Sequence, residues 1–190
     1  MTAKTSVVIG CDEAAWELKE TLKAYIKGLG HEVEDMGTNE GVAVLYPDVA
    51  LAAAEAIRSG RHARGVLLCG TGIGMAMTAN KVPGVRAAQA HDTYSAERAR
   101  KSNDAQIVTI GARVVGAELA KMIVRSFLES DFEGGRSLPK VERMEQIERM
   151  AQVERMAQVE RMAQVERMAQ VERMAQVERM ARIKRMARQA

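Results

Sequence analysis

Residues 65–74 read Gly-Val-Leu-Leu-Cys-Gly-Thr-Gly-Ile-Gly, an apolar run that leads into a cysteine and a glycine-rich turn. The apolar run has the length and character of a buried strand, and the residues after the turn have those of a helix. A thiol between the two, Cys69, would lie beside the unpaired N–H groups of the helix start, which favour the thiolate. Three glycines in the turn let the backbone approach a ligand closely and point several N–H groups at one anionic oxygen: Gly70, Gly72 and Gly74. This stretch therefore predicts a base next to an oxyanion site.

Two simpler interpretations of the turn stay open on these residues alone. The turn could be a plain phosphate-binding loop, or a tight connection in which Cys69 is only a small buried apolar residue. It is not the dinucleotide-binding fingerprint, because its glycines alternate and residue 75 is Met where that motif has its third glycine. The chemistry of the turn has to be decided by its surroundings.

Strands and helices alternate around this stretch, throughout the predicted first domain, residues 1–138. The pattern predicts strands over 5–10, 32–36, 64–69, 85–90 and 106–110, and helices over 14–29, 46–58, 72–81, 93–102 and 117–129. We expect a five-stranded parallel, Rossmann-like sheet with helices on both faces, a three-layer α/β sandwich. Because ligands bind at the carboxyl ends of such strands, functional residues are expected at 11–16, 37–48, 69–74, 91–94 and 111–113.

The predicted second domain, residues 139–190, is a single long helix of six-residue repeats. The hexapeptide AQVERM stands five times without change from Ala151 to Met180. A step of three residues falls about 60° short of a full helical turn, so the Val and Met side chains circle the helix instead of forming one seam. That arrangement excludes a simple two-stranded coiled coil and favours a packing or assembly element. Natural and engineered repeats are not distinguished by the sequence.

The composition excludes several classes of protein. The net charge of +3 arises in the tail, and residues 1–140 contain equal numbers of acidic and basic side chains. With three Tyr, two Phe and one Trp, no basic and aromatic surface for nucleic acid is expected. The chain has no long apolar run, no signal peptide pattern, and no CxxC or HExxH motif. We expect a cytoplasmic protein that spans no membrane, uses no metal and no cofactor, and keeps Cys11 and Cys69 as free thiols.

Several short motifs occur in the order in which one enzyme family has them: Gly10-Cys11-Asp12, Tyr46-Pro47, CGTGIG at 69–74, ANKVPGVRA at 79–87, Tyr94-Ser95-Ala96, Asn103, Gly111-Ala112-Arg113 and Glu133-Gly134-Gly135-Arg136. On these residues the segment 1–150 resembles the ribose-5-phosphate isomerase B / galactose-6-phosphate isomerase family. The resemblance implies an intramolecular oxidoreductase of carbohydrate metabolism. Such an enzyme interconverts an aldose phosphate and its 2-ketose phosphate through a cis-enediolate, here ribose 5-phosphate and ribulose 5-phosphate or a tetrose and tetrulose 4-phosphate.

The resemblance also implies roles for individual residues. Cys69 would be the base that moves the proton between C1 and C2, and Thr71 would help to position the substrate. The substrate would be held by the turn amides and by three side chains: Gly70, Gly72, Gly74, Asp12, Tyr46 and Asn103. The phosphate would be bound by Arg113 and Arg136, with Lys140 where a second arginine is common. Since family members are homodimers or homotetramers with shared sites, the phosphate contacts are expected to cross a subunit boundary.

The chain departs from the family pattern at positions that concern the substrate. Glu13 replaces a histidine of the first turn, and its carboxylate would repel a nearby phosphate. Ser102 stands where ribose-specific members often have a ring-opening histidine, which favours a substrate that is already open, such as a tetrulose phosphate. His91, at a predicted strand end, is a candidate substitute acid, and it could equally be a capping residue.

Two hypotheses of other classes stay open beside the isomerase. One is a structural building block whose helix, residues 140–190, drives higher-order assembly, and the other is a sugar-phosphate binder without turnover.

Overall fold

A computed structural model describes residues 5–187 of the chain. Five strands form one parallel sheet in the order β2-β1-β3-β5-β4. Their bounds are β1 Ser6–Cys11, β2 Glu32–Asp35, β3 Arg64–Cys69, β4 Ala87–Gln89 and β5 Ile107–Gly111. The predicted five-stranded parallel sheet is confirmed, and each strand lies within one or two residues of its predicted position.

Six α-helices and two short 3-10 turns complete the part of the chain that the structure describes. The helices are α1 Trp16–Gly28, α2 Tyr46–Arg58, α3 Ile73–Ala79, α4 Thr93–Lys101, α5 Ala117–Leu128 and α6 Leu138–Ala187, and the 3-10 turns are Glu13–Ala15 and Gly135–Ser137. Helix α3 is shorter than predicted because Asn80 turns the chain towards β4. Its side chain donates to the carbonyl of Ala87 and accepts from the amide of Ala87, both at 2.8 Å.

The core lies on both faces of the sheet because neighbouring strand residues point to opposite sides. On one face Val7, Val66 and Val108 pack with apolar side chains of α1, α4 and α5. On the other face Val8 and Leu67 pack with apolar side chains of α2 and α3. Strands covered on both faces read as continuous apolar runs, which is the pattern of β1, β3 and β5 in the sequence.

The strand order creates a crevice at the centre of the sheet. From β1 the chain passes to β2 on one side, then returns to β3 on the other side of β1. Connections that leave two adjacent strands in opposite directions open a cleft at the carboxyl ends of those strands. Strands β1 and β3 end here at Cys11 and Cys69. The fold therefore places the glycine-rich turn at the expected ligand-binding edge.

The chain divides into two compact units, Met1–Arg143 and Met144–Ala190. In the second unit the Val and Met side chains from Val153 to Met180 are each 58–68% exposed. Helix α6 is continuous to Ala187, and the last residues of the predicted helical domain, 188–190, lie outside the described residues. The domain boundary predicted after residue 138 stays a prediction. No helix within residues 5–187 is both long enough and apolar enough to span a membrane.

Candidate active site

Cys69 ends β3, and its sulfur accepts a hydrogen bond from the turn that follows. The side chain is nearly buried, with 6% of its surface exposed. The amide of Gly72 donates to Cys69 Sγ at 3.1 Å. Gly72 has φ +79°, a left-handed conformation that side-chain-bearing residues rarely adopt, and this conformation turns its N–H back to the sulfur. An N–H directed at sulfur stabilises negative charge there, as a thiolate base requires.

Asp12 lies beside Cys69, at the end of the neighbouring strand. The last register pair of β1 and β3 is Cys11 with Leu68. The residues that follow, Asp12 and Cys69, therefore lie next to each other at the carboxyl edge of the sheet. Asp12 Oδ1 accepts from the amide of Ala14 at 3.1 Å. Burial raises the pKa of Asp12 and the charge of Glu13 raises it further, against the opposing charge of Arg113. A carboxyl that protonates more readily than usual can exchange a proton with a substrate hydroxyl.

Arg113 and Tyr46 border the same turn. The backbone amide of Arg113 donates to the carbonyl of Gly70 at 3.0 Å. The Arg113 side chain runs along this glycine, since a Cβ at residue 70 would lie 3.6 Å from Arg113 Cδ. The Tyr46 ring covers Gly74, where a Cβ would lie 2.5 Å from Tyr46 Cε2. The turn thus has an exposed guanidinium on one side and an aromatic ring on the other.

His91 lies behind the turn, at the end of β4. Its Nε2 accepts from the amide of Gly111 at 3.0 Å, and Gly111 is the register partner of Cys69 on β5. Because Nε2 accepts a backbone N–H, the proton of the neutral ring is on Nδ1. Only Nδ1 can then donate to a substrate while this bond is kept. The acid role of His91 stays a prediction, and the contact gives the side chain a structural role.

Asn103, Arg136 and Lys140 belong to a different part of the chain from the turn. The carbonyl of Asn103 accepts a hydrogen bond from Arg86 Nε at 3.1 Å. Arg86 is the residue directly before β4. The amide of Glu133 donates to the carbonyl of Lys101 at 3.1 Å, which anchors the segment before Arg136 at the end of α4. Both anchors lie at the amino-terminal edge of the sheet, and the length of β3 separates that edge from Cys69.

A six-residue strand spans about 17 Å. Within residues 5–187 no hydrogen bond or ion pair joins Arg136 or Lys140 to the turn at 69–74. One chain therefore unites Cys69, the turn, Asp12, Tyr46 and Arg113, with His91 behind them. It does not bring the three amino-edge side chains to this site.

Two side chains that contact the turn were not predicted. Gln89 Nε2 donates to the carbonyl of Thr71 at 2.7 Å, and Thr109 Oγ1 donates to the carbonyl of Gly72 at 2.9 Å. Thr109 interrupts the otherwise apolar run Ile-Val-Thr-Ile of β5. A polar residue in a buried strand was the signal available in the sequence, since a buried hydroxyl requires a partner.

Lys19 is a third residue that sequence reasoning missed. It is 1% exposed and its Nζ donates to the carbonyl of Thr38 at 2.9 Å. The ammonium group also pairs with Asp35 at 2.9 Å and Glu20 at 3.0 Å. Burial lowers the pKa of Lys19, but its bonds to Asp35 and Glu20 outweigh burial and leave the pKa raised. This network secures the start of the loop that leads to α2 and Tyr46. The sequence did contain a sign that Lys19 is buried, because it lies three residues before Leu22 on the apolar face of α1.

A cleft of about 420 Å³ opens beside the site. Its lining includes three carboxylates and an indole: Glu13, Glu17, Glu40 and Trp16. Glu13 Oε2 also accepts a long bond of 3.4 Å from the amide of Val44. Three carboxylates disfavour a phosphate in this cleft. Among the described residues no three His, Cys, Asp or Glu side chains are grouped so that they could hold a metal ion.

Comparison with known proteins gives a consistent result. A family model described as Ribose/Galactose Isomerase matches residues 7–144. A D-erythrulose-4-phosphate isomerase of Pectobacterium atrosepticum is 56% identical over 73% of this chain and 92% of its own length. A ribose-5-P isomerase B of Listeria innocua is 54% identical over 74% of this chain and 95% of its own length.

Among solved structures, ribose-5-phosphate isomerase B of Clostridium thermocellum is 42% identical with a TM-score of 0.75, covering 77% of this chain and 99% of its own. The family match and the solved relatives agree with the five-stranded parallel sheet of this chain. The chain belongs to the ribose/galactose isomerase family and is an enzyme of the sugar-phosphate isomerase kind.

Proposed function

We propose that this enzyme interconverts an aldose phosphate and its 2-ketose phosphate through a cis-enediolate, with Cys69 as the base. The observation that carries the proposal is the hydrogen bond from Gly72 N–H to Cys69 Sγ at 3.1 Å. Asp12, Tyr46 and Arg113 around the turn supply groups for substrate hydroxyls and for an anion. The family relation favours this function over the alternative of a purely structural building block.

The proposed reaction is redox-neutral and needs only proton transfers. Cys69 thiolate removes the proton from C2 of the open aldose, the C–H electrons form the C1–C2 double bond, and the carbonyl oxygen becomes negative. Amides of the turn between Gly70 and Gly74, other than the Gly72 amide that bonds the sulfur, hold that oxyanion. The thiol then returns a proton to C1, while a proton moves from the C2 hydroxyl to the C1 oxygen. Thr71 positions the substrate, and Asp12 is a suitable carrier for the oxygen-bound proton.

Proton NMR in deuterated water tests this mechanism directly. The enzyme should form the isomer and introduce deuterium at C1 or C2, because the proton on Cys69 exchanges with solvent. Cys69→Ala should lose both signals and keep the melting temperature. Isomerisation by Cys69→Ala at the normal rate would rule out the cysteine base.

For the substrate we propose a tetrose and tetrulose 4-phosphate pair. Ser102, at the position of the ring-opening histidine of ribose-specific members, has a hydroxyl that accepts from Arg98 Nε at 3.0 Å. A serine hydroxyl is a poor acid at neutral pH, so opening of a cyclic pentose phosphate would be slow. Four-carbon aldose phosphates cannot form a five-membered ring through a free terminal hydroxyl. The name of the Pectobacterium relative, 56% identical, points to the same class, whereas that of the Listeria relative points to ribose 5-phosphate.

Turnover of D-erythrulose 4-phosphate against ribose 5-phosphate decides between these substrates. We expect a higher kcat/KM for the four-carbon ketose. Ser102→His should raise activity on ribose 5-phosphate. Ser59→His, at an exposed serine directly after α2, is the control for adding an imidazole elsewhere. A wild-type preference for ribose 5-phosphate would overturn the assignment.

We further propose that the complete site needs a second copy of the chain. Asn103, Arg136 and Lys140 can bind the substrate only if they reach the Cys69 edge of a partner subunit. A mixing experiment tests this: Cys69→Ala and Arg136→Ala homo-oligomers, each nearly inactive, are mixed under exchange. If subunits pair at random in a symmetric dimer, about a quarter of the wild-type sites should be restored. No recovery in mixtures shown to exchange would mean that each chain forms its own site.

A further inference from the structure

We propose that Thr109 and Gln89 are positioning residues that fix the two peptide groups flanking Gly72, so that its N–H stays directed at Cys69 Sγ. The inference deepens the proposed function, because it takes Cys69 as the reacting thiol. Neither side chain touches the sulfur. Both act through the backbone of the turn.

The peptide group between Thr71 and Gly72 carries the contact to the sulfur. Its N–H, that of Gly72, donates to Cys69 Sγ at 3.1 Å. Its carbonyl, that of Thr71, accepts from Gln89 Nε2 at 2.7 Å. In a trans peptide the C=O and N–H point in opposite directions, so a donor that holds the carbonyl also aims the N–H. A donor on the carbonyl polarises the amide and strengthens its N–H as a donor.

The next peptide group is held by Thr109. Its hydroxyl donates to the carbonyl of Gly72 at 2.9 Å, and the amide of Ala76 donates to the same oxygen at 3.1 Å. Thr109 has no exposed surface, so water does not compete for its hydroxyl. The β5 backbone also packs closely against Gly72, since a Cβ at residue 72 would lie 3.0 Å from the carbonyl carbon of Ile110.

These anchors matter because Gly72 is a glycine at φ +79°. A glycine has many accessible backbone conformations, and only a narrow range points this N–H at the sulfur. With the peptide group on each side fixed, both dihedral angles of Gly72 are fixed. The two side chains therefore convert a flexible residue into a directed donor for a negative sulfur.

The test compares Thr109→Val, which has the same shape without a hydroxyl, with Thr109→Ser, which keeps the hydroxyl. Because Gly72 O retains its bond from Ala76, Thr109→Val leaves no buried acceptor unpaired and should fold. Gln89→Met removes the amide donor from an exposed side chain and tests the same idea if Thr109→Val fails to fold. Thr21→Val is the matched control: it deletes a hydroxyl that donates to a carbonyl, Glu17 O at 3.0 Å, in α1.

The first readout is the rate of Cys69 alkylation by iodoacetamide across pH, without substrate. Thr109→Val and Gln89→Met should move the midpoint of that profile upward by about half a unit to one unit, a shift of the size expected when a hydrogen bond to a charged group is weakened. Thr109→Ser and Thr21→Val should match the wild type. An unchanged profile in folded Thr109→Val or Gln89→Met, or failure of Thr109→Ser to match the wild type, would overturn the inference.

The second readout is isomerase kinetics. Thr109→Val should lower kcat by about threefold to tenfold and change KM less than about twofold, since the base and not substrate binding is affected. The readouts separate the two proposals. If Cys69→Ala retains turnover, the cysteine mechanism fails, whereas the alkylation profile still decides whether Thr109 and Gln89 direct the amide of Gly72 at the sulfur.

Discussion

Substitution of Gly111 by alanine should disrupt the active-site turn without touching a catalytic side chain. Gly111 ends β5 directly beside Cys69. A Cβ at this position would lie 2.8 Å from the carbonyl carbon, Cα and carbonyl oxygen of Thr71. Gly111 is not among the residues with positive φ, so alanine suits its backbone conformation. The substitution therefore tests the contact alone.

The contact distances set the magnitude of the effect. The value of 2.8 Å is 0.6 Å short of the 3.4 Å at which ordinary van der Waals contact of a Cβ begins. The atoms in the way belong to the backbone and cannot rotate aside, so the Thr71 segment must move by a similar amount. Overpacking of this kind costs about 1–3 kcal/mol. Since a displacement near 1 Å in an active site can cost a hundredfold in rate, we expect kcat to fall by about tenfold to a hundredfold.

The assay combines thermal unfolding with turnover of the preferred sugar phosphate. Gly28→Ala is the control, because nothing lies within 4 Å of a Cβ there and alanine is favoured over glycine in a helix. That control should match or exceed the wild type in melting temperature and equal it in rate. Gly111→Ala should lower the melting temperature by a few degrees and kcat by at least about tenfold. A Gly111→Ala enzyme with wild-type kcat would refute the argument that the Thr71 backbone must stay in place.

Three further predictions follow from individual side chains. Burial raises the pKa of Cys11 to about 11, so at pH 8 iodoacetamide should modify Cys69 and leave Cys11 intact, as judged by peptide mass spectrometry. Lys19→Met should lower the free energy of unfolding in urea by about 1–3 kcal/mol at pH 7. Burial alone raises the pKa of Asp35, but hydrogen bonds from Lys23 and Lys19 leave it lowered. The contribution of Asp35 is therefore present above the usual carboxylate pKa and is lost as the pH falls through the lower pKa of the folded state. The loss of stability in Lys19→Met should accordingly become smaller as the pH falls below the usual range of an aspartate. His91→Gln should keep most of the activity if the histidine only accepts from the backbone, and a loss as large as that of His91→Leu would support the acid role.

The fold could be predicted because its local signals agree. Apolar runs fixed β1, β3 and β5, and Tyr46-Pro47 marked the start of α2 at the residue where the structure begins it. The short α3 was predicted three residues too long, two of them at its carboxyl end, because that end depends on the tertiary contact between Asn80 and Ala87. Such a contact joins residues of different elements and leaves no periodic pattern in the sequence.

The site could be predicted only in part. Parallel strands bring their carboxyl ends together, which located Cys69, Asp12 and Arg113 at one edge from the order of elements alone. The same rule predicted which loops carry functional residues. It did not predict which backbone groups a side chain would hydrogen-bond. Thr109 acts on a peptide group 37 positions away in the chain, and only the packed structure reveals that pairing.

The uniform repeats of α6 make its length unusually easy to change. A gain or loss of one AQVERM unit between Ala151 and Met180 leaves every remaining residue with the same neighbours along the helix. The part beyond the change is nevertheless shifted by about 9 Å and turned by about 120°. Three units together amount to about five full turns, so only changes in multiples of three restore the direction that each side chain faces. Single-unit length variants would thus preserve helicity while reorienting everything that follows.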